Sequence, residues 1–539
     1  RSPSLKLADC NGDGRVDALA NMGRAIALWQ NQSERGWAEP QLIFNSENVP
    51  SLADPTVHLA DMTGDGLQDV VRVQSGRVEV WPSLGIGRFG QPMQLRNSPR
   101  LRDALRQPQS VLLADLNGDG CADLVHFTPE GIEIFINQNG MQFADAILIR
   151  DVPPPISGTV RAANMQGQMG SGLVWNSYRG RTMAYVQLAF GNSLPYLLTT
   201  VENGSGLVSE LLYRSAVEDF ARDEAAGELW DTHFPFPYLV VAGTRERDLV
   251  SGRSTALDFN YHQAHYEPNT RQFHGFRRSE RIERSNGSLS RADVRIVFHY
   301  LMGQERLPGN GLEHAALNGM LHRSETYSLD GSPDQNRPYR TEVSEYGLSV
   351  LGMLPDGRKR SFVFVAKHRL EDTERTNTGD LRGEEKTYTY DANGNVTKEQ
   401  HRGYGTHAGV AQPERKRTSE ISYANSTTAW LLDRPSRIVV RDEAGALLSE
   451  TRRYYDGPDF VGLPLGQTVR GLLSREEALV LLQAEFDAHY AGMNAATLGY
   501  AASNDVDGHL ALFTQTGRCA YNTHGVKTAI QDELGNTSA

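Results

Sequence analysis

The sequence predicts an all-β protein in two parts. A partial β-propeller, whose blades carry loops suited to calcium, is followed by a long run of β-hairpins with one or few helices. One observation is a segment of the form Asp-x-Asn/Thr-x-Asp-Gly-x-x-Asp, which recurs three times at a period of about 50 residues. The other is alternation of polar and apolar residues from about residue 201 onwards, in stretches separated by turn sequences.

Composition narrows the class of protein. The chain has 539 residues, of which 39% are hydrophobic and 22% are charged, as in a folded protein with real cores. Its formal net charge of −12 disfavours binding to nucleic acid or to anionic membranes. No apolar run approaches the roughly 18 residues of a membrane-spanning helix. Cys10, Cys121 and Cys519 lie far apart, which predicts neither a disulfide framework nor a cysteine zinc site.

The repeats define the propeller blades. Leu7–Asp17, Leu59–Asp69 and Leu113–Asp123 share the loop pattern, and an aromatic residue closes a short apolar strand at the same distance after each loop. These aromatic residues are Trp29, Trp81 and Phe135. A strand, a turn and a second strand at this period are typical of a propeller blade, which needs neighbours to bury both of its faces. Since the chain starts at Arg1 without Met or a signal-like stretch, we expect further blades before it.

The loops predict up to three structural calcium sites. Side-chain oxygens at positions one, three, five and nine suit a hard cation, the glycine at position six allows the turn, and position seven offers its backbone carbonyl. The EF-hand alternative fails, because position twelve is Ala20, Arg72 or His126 instead of Glu. A metal-free Asp/Gly turn is the other reading, which three intact copies disfavour. The predicted ligands are Asp9, Asn11, Asp13, Arg15, Asp17, Asp61, Thr63, Asp65, Leu67, Asp69, Asp115, Asn117, Asp119, Cys121 and Asp123.

A fourth, decayed copy of the loop has Asn164, Gln166, Gln168 and Gly172 at the ligand positions and no carboxylate. We expect this loop to be metal-free, a turn held by side-chain amides. Three Ca²⁺ ions in the intact loops would halve the formal charge of −12.

The second half of the chain predicts strand after strand. Alternation marks Ala256–Tyr261, Val294–Tyr300, Ser361–Val365, Glu385–Tyr390 and Ser436–Val440 as strands. Turn signals between such stretches are Asp330-Gly331, Asn393-Gly394 and Glu443-Ala-Gly445. Alternation alone fits an ordinary β-sandwich equally well. One helix is predicted from Ser474, where Ser474–Glu477 has a capping-box pattern and Leu479, Leu482 and Phe486 follow at helical spacing.

No catalytic constellation emerges from the sequence. His262 and His265 have HxxH spacing, but they lie in an aromatic strand with no obvious carboxylate partner, so ordinary sheet histidines are the better reading. Glu313, His314 and His322 lack HExxH spacing. The Gly204–Gly206 segment lacks the pattern of a nucleophile elbow, and Cys519 with nearby His524 falls in a hairpin-like repeat. We therefore predict a protein that is not an enzyme.

A family resemblance covers nearly the whole chain. The loop repeats resemble FG-GAP/VCBS propeller repeats, and Tyr390–Thr397 resembles the Tyr-Asp (YD, or RHS) repeat. Further stretches resemble, in order, the B component of toxin complexes (Tc toxins) and the related N-terminal part of SpvB-type virulence proteins. These stretches are Leu194–Gly206, Phe234–Pro237, Phe273–Arg277, His299–Gly303 and Tyr454–Gly466.

The resemblance implies a secreted toxin component, made in the bacterial cytoplasm. In such a protein the propeller docks on a pore-forming A component, and the hairpins form part of a hollow shell that is completed by a C component and encloses a toxic effector. The implied domains are propeller blades over 1–195, a middle domain in two halves over 196–345 and 346–470, and a helix with further YD/RHS-type repeats over 471–539. The alternative is a calcium-dependent binding or adhesion module of a bacterial surface or secreted protein.

Overall fold

The chain forms two compact units, Arg1–Phe276 and Arg277–Ala539. We describe each unit by itself. The computed structural model describes residues 5–10, 15–23, 25–32, 36–44, 49–102, 110–152, 160–165, 167, 170–176, 183–186, 197–230, 238–267, 272–285, 292–303, 315–354, 359–375 and 379–538.

The first part of unit 1 consists of antiparallel sheets that follow one another along the chain. Three sheets have four strands, the next has three described strands, and β12 and β13 form a small ribbon. The strands are β1 Lys6–Ala8, β2 Asp17–Met22, β3 Ala25–Trp29, β4 Gln41–Ile43, β5 Val57–Ala60, β6 Asp69–Gln74, β7 Arg77–Trp81, β8 Met93–Gln94, β9 Val111–Ala114, β10 Asp123–Thr128, β11 Gly131–Phe135, β12 Asn137–Gln138, β13 Gln142–Phe143, β14 Ile147–Ile149, β15 Val160–Ala163, β16 Gly172–Asn176 and β17 Met183–Val186.

Successive sheets share their cores. One buried cluster joins residues of the first and second sheets, including Leu28 and Val70, and another joins Val71 of the second sheet to Leu124 of the third. A further cluster joins Ile134 of the third sheet to Leu173 of the fourth. Full burial of one such side chain stabilises the fold by about 1.5–3 kcal/mol. The blades therefore bury their faces against each other, as the repeats predict.

The second part of unit 1 is a run of longer strands with one helix. Helix α1 (Ala216–Ala225) follows β19 directly, and its N-terminus has a capping box in which Ser215 and Glu218 bond each other's backbone N–H groups. No pattern in the sequence predicted this helix. The strands are β18 Thr200–Glu202, β19 Leu207–Ser215, β20 Leu239–Asp248 and β21 Ser254–Glu267, and β22 Gln272–Arg284 contains the boundary between the units.

Unit 2 is built from one long antiparallel sheet and a small three-stranded sheet. The long sheet continues from β22 and the small sheet comprises β36, β37 and β38. The strands are β23 Asp293–Tyr300, β24 Leu321–Leu329, β25 Arg340–Met353, β26 Lys359–Thr373, β27 Leu381–Tyr390, β28 Val396–His407, β29 Val410–Ala411, β30 Arg415–Ser426, β31 Leu431–Asp442, β32 Leu447–Tyr455, β33 Leu473–Leu482, β34 Tyr500–Asn504, β35 Leu510–Thr516, β36 Arg518–Tyr521, β37 Lys527–Gln531 and β38 Thr537–Ser538.

The predicted strands and turns of the second half are confirmed. Each of the five alternating stretches lies in a strand, and the turn after Tyr390 joins β27 to β28. There, one oxygen of Asp391 accepts the backbone N–H groups of Asn393 at 2.8 Å and Asn395 at 2.9 Å, while Gly394 has a φ of 87°. The same turn recurs at three other aspartates, whose carboxylates accept the backbone N–H groups of the residues two and four positions later. They are Asp442, Asp505 and Asp532.

The helix predicted from Ser474 is wrong over its first part. Residues Leu473–Leu482 form β33, and helix α2 comprises only Gln483–His489. Ser474 does not cap a helix, because its hydroxyl donates to the carbonyl of Asp456 at 2.8 Å. Glu477 accepts from the Tyr454 hydroxyl at 2.9 Å instead of reaching back to a helix N-terminus. Two short 3-10 helices, Ala315–Leu317 and Ala495–Leu498, complete the described secondary structure. Among the described residues, no helix is long and apolar enough to cross a membrane.

Candidate metal centre

The three predicted calcium loops each connect the first two strands of a blade. The second loop, Asp61–Asp69, joins β5 to β6, and the third, Asp115–Asp123, joins β9 to β10. Both are described in full. In the first loop Asp9, Arg15 and Asp17 are described, whereas Asn11 and Asp13 lie outside the described residues.

In the second and third loops, the aspartate at position one is the centre of the turn. Asp61 accepts the N–H of Gly64 through one carboxylate oxygen and the N–H of Gly66 through the other, both at 2.7 Å. Asp115 accepts in the same way from Gly118 at 2.7 Å and Gly120 at 3.0 Å. These four glycines have φ values of 79–89°, which side-chain-bearing residues rarely adopt. The glycines therefore let the loop wind around its first carboxylate.

The aspartate at position nine is fully buried in all three loops and holds the loop to the next strand pair. Asp69 accepts the N–H of Met62 at 2.9 Å and the N–H of Ser83 at 2.7 Å, through different oxygens. Asp123 accepts from Leu116 at 3.0 Å and from Asn137 at 2.8 Å. Equivalent bonds reach Asp17 from the N–H groups of Cys10, at 3.2 Å, and Asn31, at 2.9 Å.

The remaining predicted ligands shape the middle of the loop. Asp65 accepts from the N–H of Leu67 at 2.9 Å, and Asp119 accepts from that of Cys121 at 2.8 Å. Asn117 donates its side-chain N–H to Asp119 at 3.0 Å. The hydroxyl of Thr63 is buried and has no hydrogen-bond partner among the described residues. A position-three oxygen without a hydrogen-bond partner could coordinate a cation.

The carboxylates of a loop disfavour one another's charge. Burial, followed by the negative charges of Asp119 and Asp115, raises the pKa of Asp123 to about 7, although hydrogen bonds from Asn137 and Leu116 lower it. Burial, with Asp61 and Asp65 nearby, also raises the pKa of Asp69. A cation would relieve this repulsion, and a carboxylate oxygen that accepts one N–H keeps a lone pair for a metal. The residues therefore fit a calcium ion chemically, with oxygen donors throughout.

The loop carboxylates are nevertheless spread out. Among the described residues, one group of three His, Cys, Asp or Glu side chains has its ligand atoms within 4.8 Å of one another. This group is Asp223, Glu228 and His262, and it includes no residue of the loops. Calcium at the loops remains a prediction. In the fourth copy, Gln166 and Gln168 lie outside the described residues.

Neighbouring loops are bonded to each other. The carbonyl of Asp61 accepts the N–H of Ala122 at 2.7 Å, and the carbonyl of Asp115 accepts that of Ser171 at 2.8 Å. The buried side chain of Asn137 donates to the carbonyl of Met62 at 2.9 Å. Sequence reasoning missed Asn137, although a signal existed. Asn31, Ser83 and Asn137 each stand two residues after the repeated aromatic residue.

The statement that His262 has no obvious carboxylate partner is wrong. Its Nδ1 lies 2.9 Å from both carboxylate oxygens of Asp223, a residue of α1. Asp223 also accepts from Trp230 Nε1 at 2.8 Å and from Arg222 at 2.8 Å. Arg222 Nη2 lies 3.2 Å from His262 Nδ1, so a positive charge already accompanies these two side chains. The group therefore fastens α1 to β21 and is a poor metal site.

The other catalytic candidates form no site among the described residues. His265 is buried with its ring 5.5 Å from that of His274, and His322 Nδ1 contacts the carbonyl of Ser344 at 3.0 Å. Cys519 is buried in β36. Glu313 and His314 lie outside the described residues.

Comparisons with known proteins agree with the predicted resemblance. Residues 136–303 match the family described as the insecticide toxin TcdB middle/N-terminal region, and residues 61–126 match an FG-GAP-like repeat. A chain in the Tc holotoxin pore of Photorhabdus luminescens is similar in fold, with a TM-score of 0.81 and 21% identity over 98% of this chain and 30% of that chain. No curated protein sequence matches significantly.

The crystal structure of TcdB2-TccC3 is also similar, with a TM-score of 0.75 and 19% identity over 98% of this chain and 31% of that chain. The chain thus spans less than a third of the length of these two structures. Nearly all of this chain, 98% of it, is nevertheless covered by the similarity to each of them. With FG-GAP-like repeats followed by a TcdB-type middle region, the chain is a protein similar to the B component of Tc toxins.

Proposed function

We propose that the chain is part of the non-enzymatic B component of a bacterial toxin complex. Its propeller blades dock on a pore-forming A component. Its long sheet forms part of the wall of a shell that a C component completes and that encloses a toxic effector. Fold similarity to structures of the holotoxin and of TcdB2-TccC3 supports the proposal. A property of the sheet itself, present in unit 2, supports it independently.

Across eight strands of the long sheet in unit 2, two adjacent rows of cross-strand neighbours show no apolar face. In a row, each residue is the cross-strand partner of the next, so its side chains share one face of the sheet. The first row is Arg278, His299, Arg323, Val343, Arg369, Glu385, Arg402 and Lys416. The second row, on the opposite face, is Ser279, Phe298, Ser324, Glu342, Leu370, Glu384, Gly403 and Arg415.

None of these residues is buried, on either face. A sheet in a β-sandwich has one face of apolar side chains that packs on the other sheet, because that burial supplies the stability of the fold. A sheet that is polar on both faces has water, or a polar content, on both sides. The observation disfavours the sandwich reading and suits a wall around an enclosed space.

Hydrogen bonds between hairpins also stabilise the long sheet. The Tyr390 hydroxyl donates to the carbonyl of Val365 at 2.8 Å, and Val365 lies in an earlier strand of the sheet. Equivalent bonds run from Tyr423 to Val396 and from Tyr455 to Pro435, at 2.9 and 2.8 Å. Each bond is worth about 1 kcal/mol. Each ties a hairpin to the strand before it.

The calcium loops would brace the blades in this assembly. The ion would be held by the loop aspartates together with Thr63 or Asn117 and would supply positive charge, not catalysis. No general base or nucleophile accompanies the loops among the residues assigned to them. Secretion follows from the proposed role, since the toxin acts outside the bacterium that makes it.

Co-purification tests the proposal. The chain is co-expressed with a candidate A component, a candidate C component, or both, and an affinity tag is placed on the partner. We expect co-elution with each partner, and with both together as one species in size-exclusion chromatography. As a control, substitution of the exposed residues Asp459, in a turn, and Arg360, at the start of β26, should leave co-elution unchanged. Failure to co-elute with any A or C component would contradict the proposal.

A further inference from the structure

A cavity of about 580 Å³ opens on the long sheet of unit 2, at strands β27, β28 and β30. Gly403 has no side chain to fill the space between the flanking strands, and Gly405 also lines the cavity. Gly403 is the cross-strand partner of Glu384 on one side and of Arg415 on the other. The floor of the cavity is therefore backbone, and its walls are charged side chains.

The walls are predominantly basic. Arg382 and Glu384 line one side, Arg415 and Arg417 line the other, and His401 lies at one end. Glu384 is held only loosely, with Arg382 at 3.5 Å and His401 at 3.6 Å. Its carboxylate can therefore still accept hydrogen bonds from a ligand.

Two arginines of the cavity keep their charge for a ligand. The nearest carboxylate in sequence, Glu414, pairs instead with Arg402 and, at 3.1 Å, with Lys416. No ion pair or hydrogen bond of the Arg415 or Arg417 side chain occurs among the described residues. Strand β31 ends at Asp442, opposite Arg417, and one oxygen of Asp442 is already bound to the N–H groups of Ala444 and Ala446.

We infer that this cavity binds an extended acidic segment of polypeptide. Carboxylates of the segment pair with the guanidinium groups of Arg415 and Arg417, whose planar fork matches a carboxylate. The backbone of the segment lies on Gly403 and Gly405, where no side chain keeps it away. Glu384 accepts backbone N–H groups of the segment. The inference stands apart from the proposed assembly role and holds or fails without it.

The same chemistry disfavours nucleic acid. A phosphate backbone offers acceptors but few donors, so Glu384 would repel it, whereas a peptide offers both carboxylates and N–H groups. The chain as a whole carries a formal charge of −12, which opposes a long polyanion more than a short segment.

The test measures fluorescence anisotropy of a fluorescein-labelled peptide of alternating Glu and Gly, titrated with the whole chain. The matched neutral probe replaces each Glu with Gln, and an oligothymidylate tests for nucleic acid. We expect the acidic peptide to bind. The affinity of the neutral peptide should be lower by a factor of about ten or more. Binding of the acidic peptide should weaken as salt increases. Equal binding of the two peptides, or tighter binding of the oligothymidylate, would overturn the inference.

Two variants locate the binding in the cavity. The double variant Arg415→Ala with Arg417→Ala removes the charges, and Gly403→Val fills the floor. A Cβ at Gly403 meets no atom closer than the carbonyl oxygen of Arg415 at 3.9 Å, so the strand accepts the substitution. Both variants should lose about tenfold in affinity with unchanged melting temperature, and the exposed control Arg360→Ala should lose none. Retention of affinity by either cavity variant would overturn the assignment.

Discussion

Asp69 accepts a 2.7 Å hydrogen bond from the backbone N–H of Ser83, and the same bond joins Asp17 to Asn31 and Asp123 to Asn137. The buried carboxylate thus links its loop to the residue two places after the repeated aromatic residue in three successive blades. It accepts a second N–H from within its own loop in each case. The position-nine aspartates therefore have a structural role in addition to any role as ligands.

Asp69→Asn should therefore destabilise the blades even in the absence of calcium. An amide has one acceptor oxygen, so one of the two N–H groups loses its partner and the NH₂ group faces a donor. We expect a loss of about 1–3 kcal/mol in the free energy of unfolding, measured by urea denaturation in chelator. Asp65→Asn, at an exposed position of the same loop, is the control and should cost less. Equal losses would contradict the structural role.

Calcium should raise the melting temperature of the chain, and a chelator should reverse the effect. An ion that binds the folded loops and not the unfolded chain stabilises the fold by mass action. Differential scanning calorimetry with Ca²⁺, with Mg²⁺ and with excess chelator measures the shift. Asp65→Asn with Asp119→Asn should reduce it. A melting temperature that excess chelator leaves unchanged would count against calcium sites.

Asp456 should make stability depend on acidic pH. Burial raises its pKa, but hydrogen bonds from Val469, Arg470 and Leu472 outweigh burial and hold the pKa below its usual value. A carboxyl with a lowered folded-state pKa contributes stability above its unfolded pKa of about 3.9. That stability disappears as pH falls through the folded pKa.

Asp456→Asn is the variant for this test, because asparagine tolerates the positive φ of 53° found at this position. The difference in unfolding free energy between wild type and variant should be constant near neutral pH and shrink below about pH 4. Urea denaturation at several pH values measures it, with exposed Asp459→Asn as control. A difference that does not change with pH would refute the titration of Asp456.

The tyrosine bonds between hairpins should be measurable one at a time. Tyr390→Phe removes the hydroxyl that donates to Val365 and keeps the ring that contacts Phe364, with 4.9 Å between ring centroids. We expect a loss of about 1 kcal/mol in unfolding free energy. Tyr388→Phe changes the same strand, and among the described residues its hydroxyl has no hydrogen-bond partner, so it should be neutral. Similar losses for both variants would show that the hydroxyl bond does not stabilise the sheet.

Repetition and alternation in the sequence predicted most of the fold. The loop pattern gave the blades and their core-facing strands, and period-two alternation gave the strands around Tyr261, Tyr300 and Tyr390. These signals work because they follow directly from side-chain direction in a strand. The described ligand candidates lie in the predicted turns, but their carboxylates are spread out, and Asn11 and Asp13 fall outside the described residues.

The helices were harder to predict, for opposite reasons. Helix α1 was missed because its buried face carries Asp219 and Asp223, which form ion pairs with Arg214 and Arg222 instead of packing as apolar side chains. Hydrophobic periodicity cannot detect such a face. At Ser474 a helix was predicted where the chain forms a strand. A serine followed three residues later by a glutamate is typical of a helix N-terminus, but here both lie in β33, which pairs with β32 and β35.

The central claim is that the long sheet is a wall around an enclosed space, and electron microscopy of the chain purified with a C component tests it most directly. We predict a hollow particle in which the long sheet bounds an internal cavity, with the row that contains Arg369 and the row that contains Leu370 on opposite sides of the wall. A solid particle, in which one face of this sheet packs directly against another layer of protein, would contradict the account.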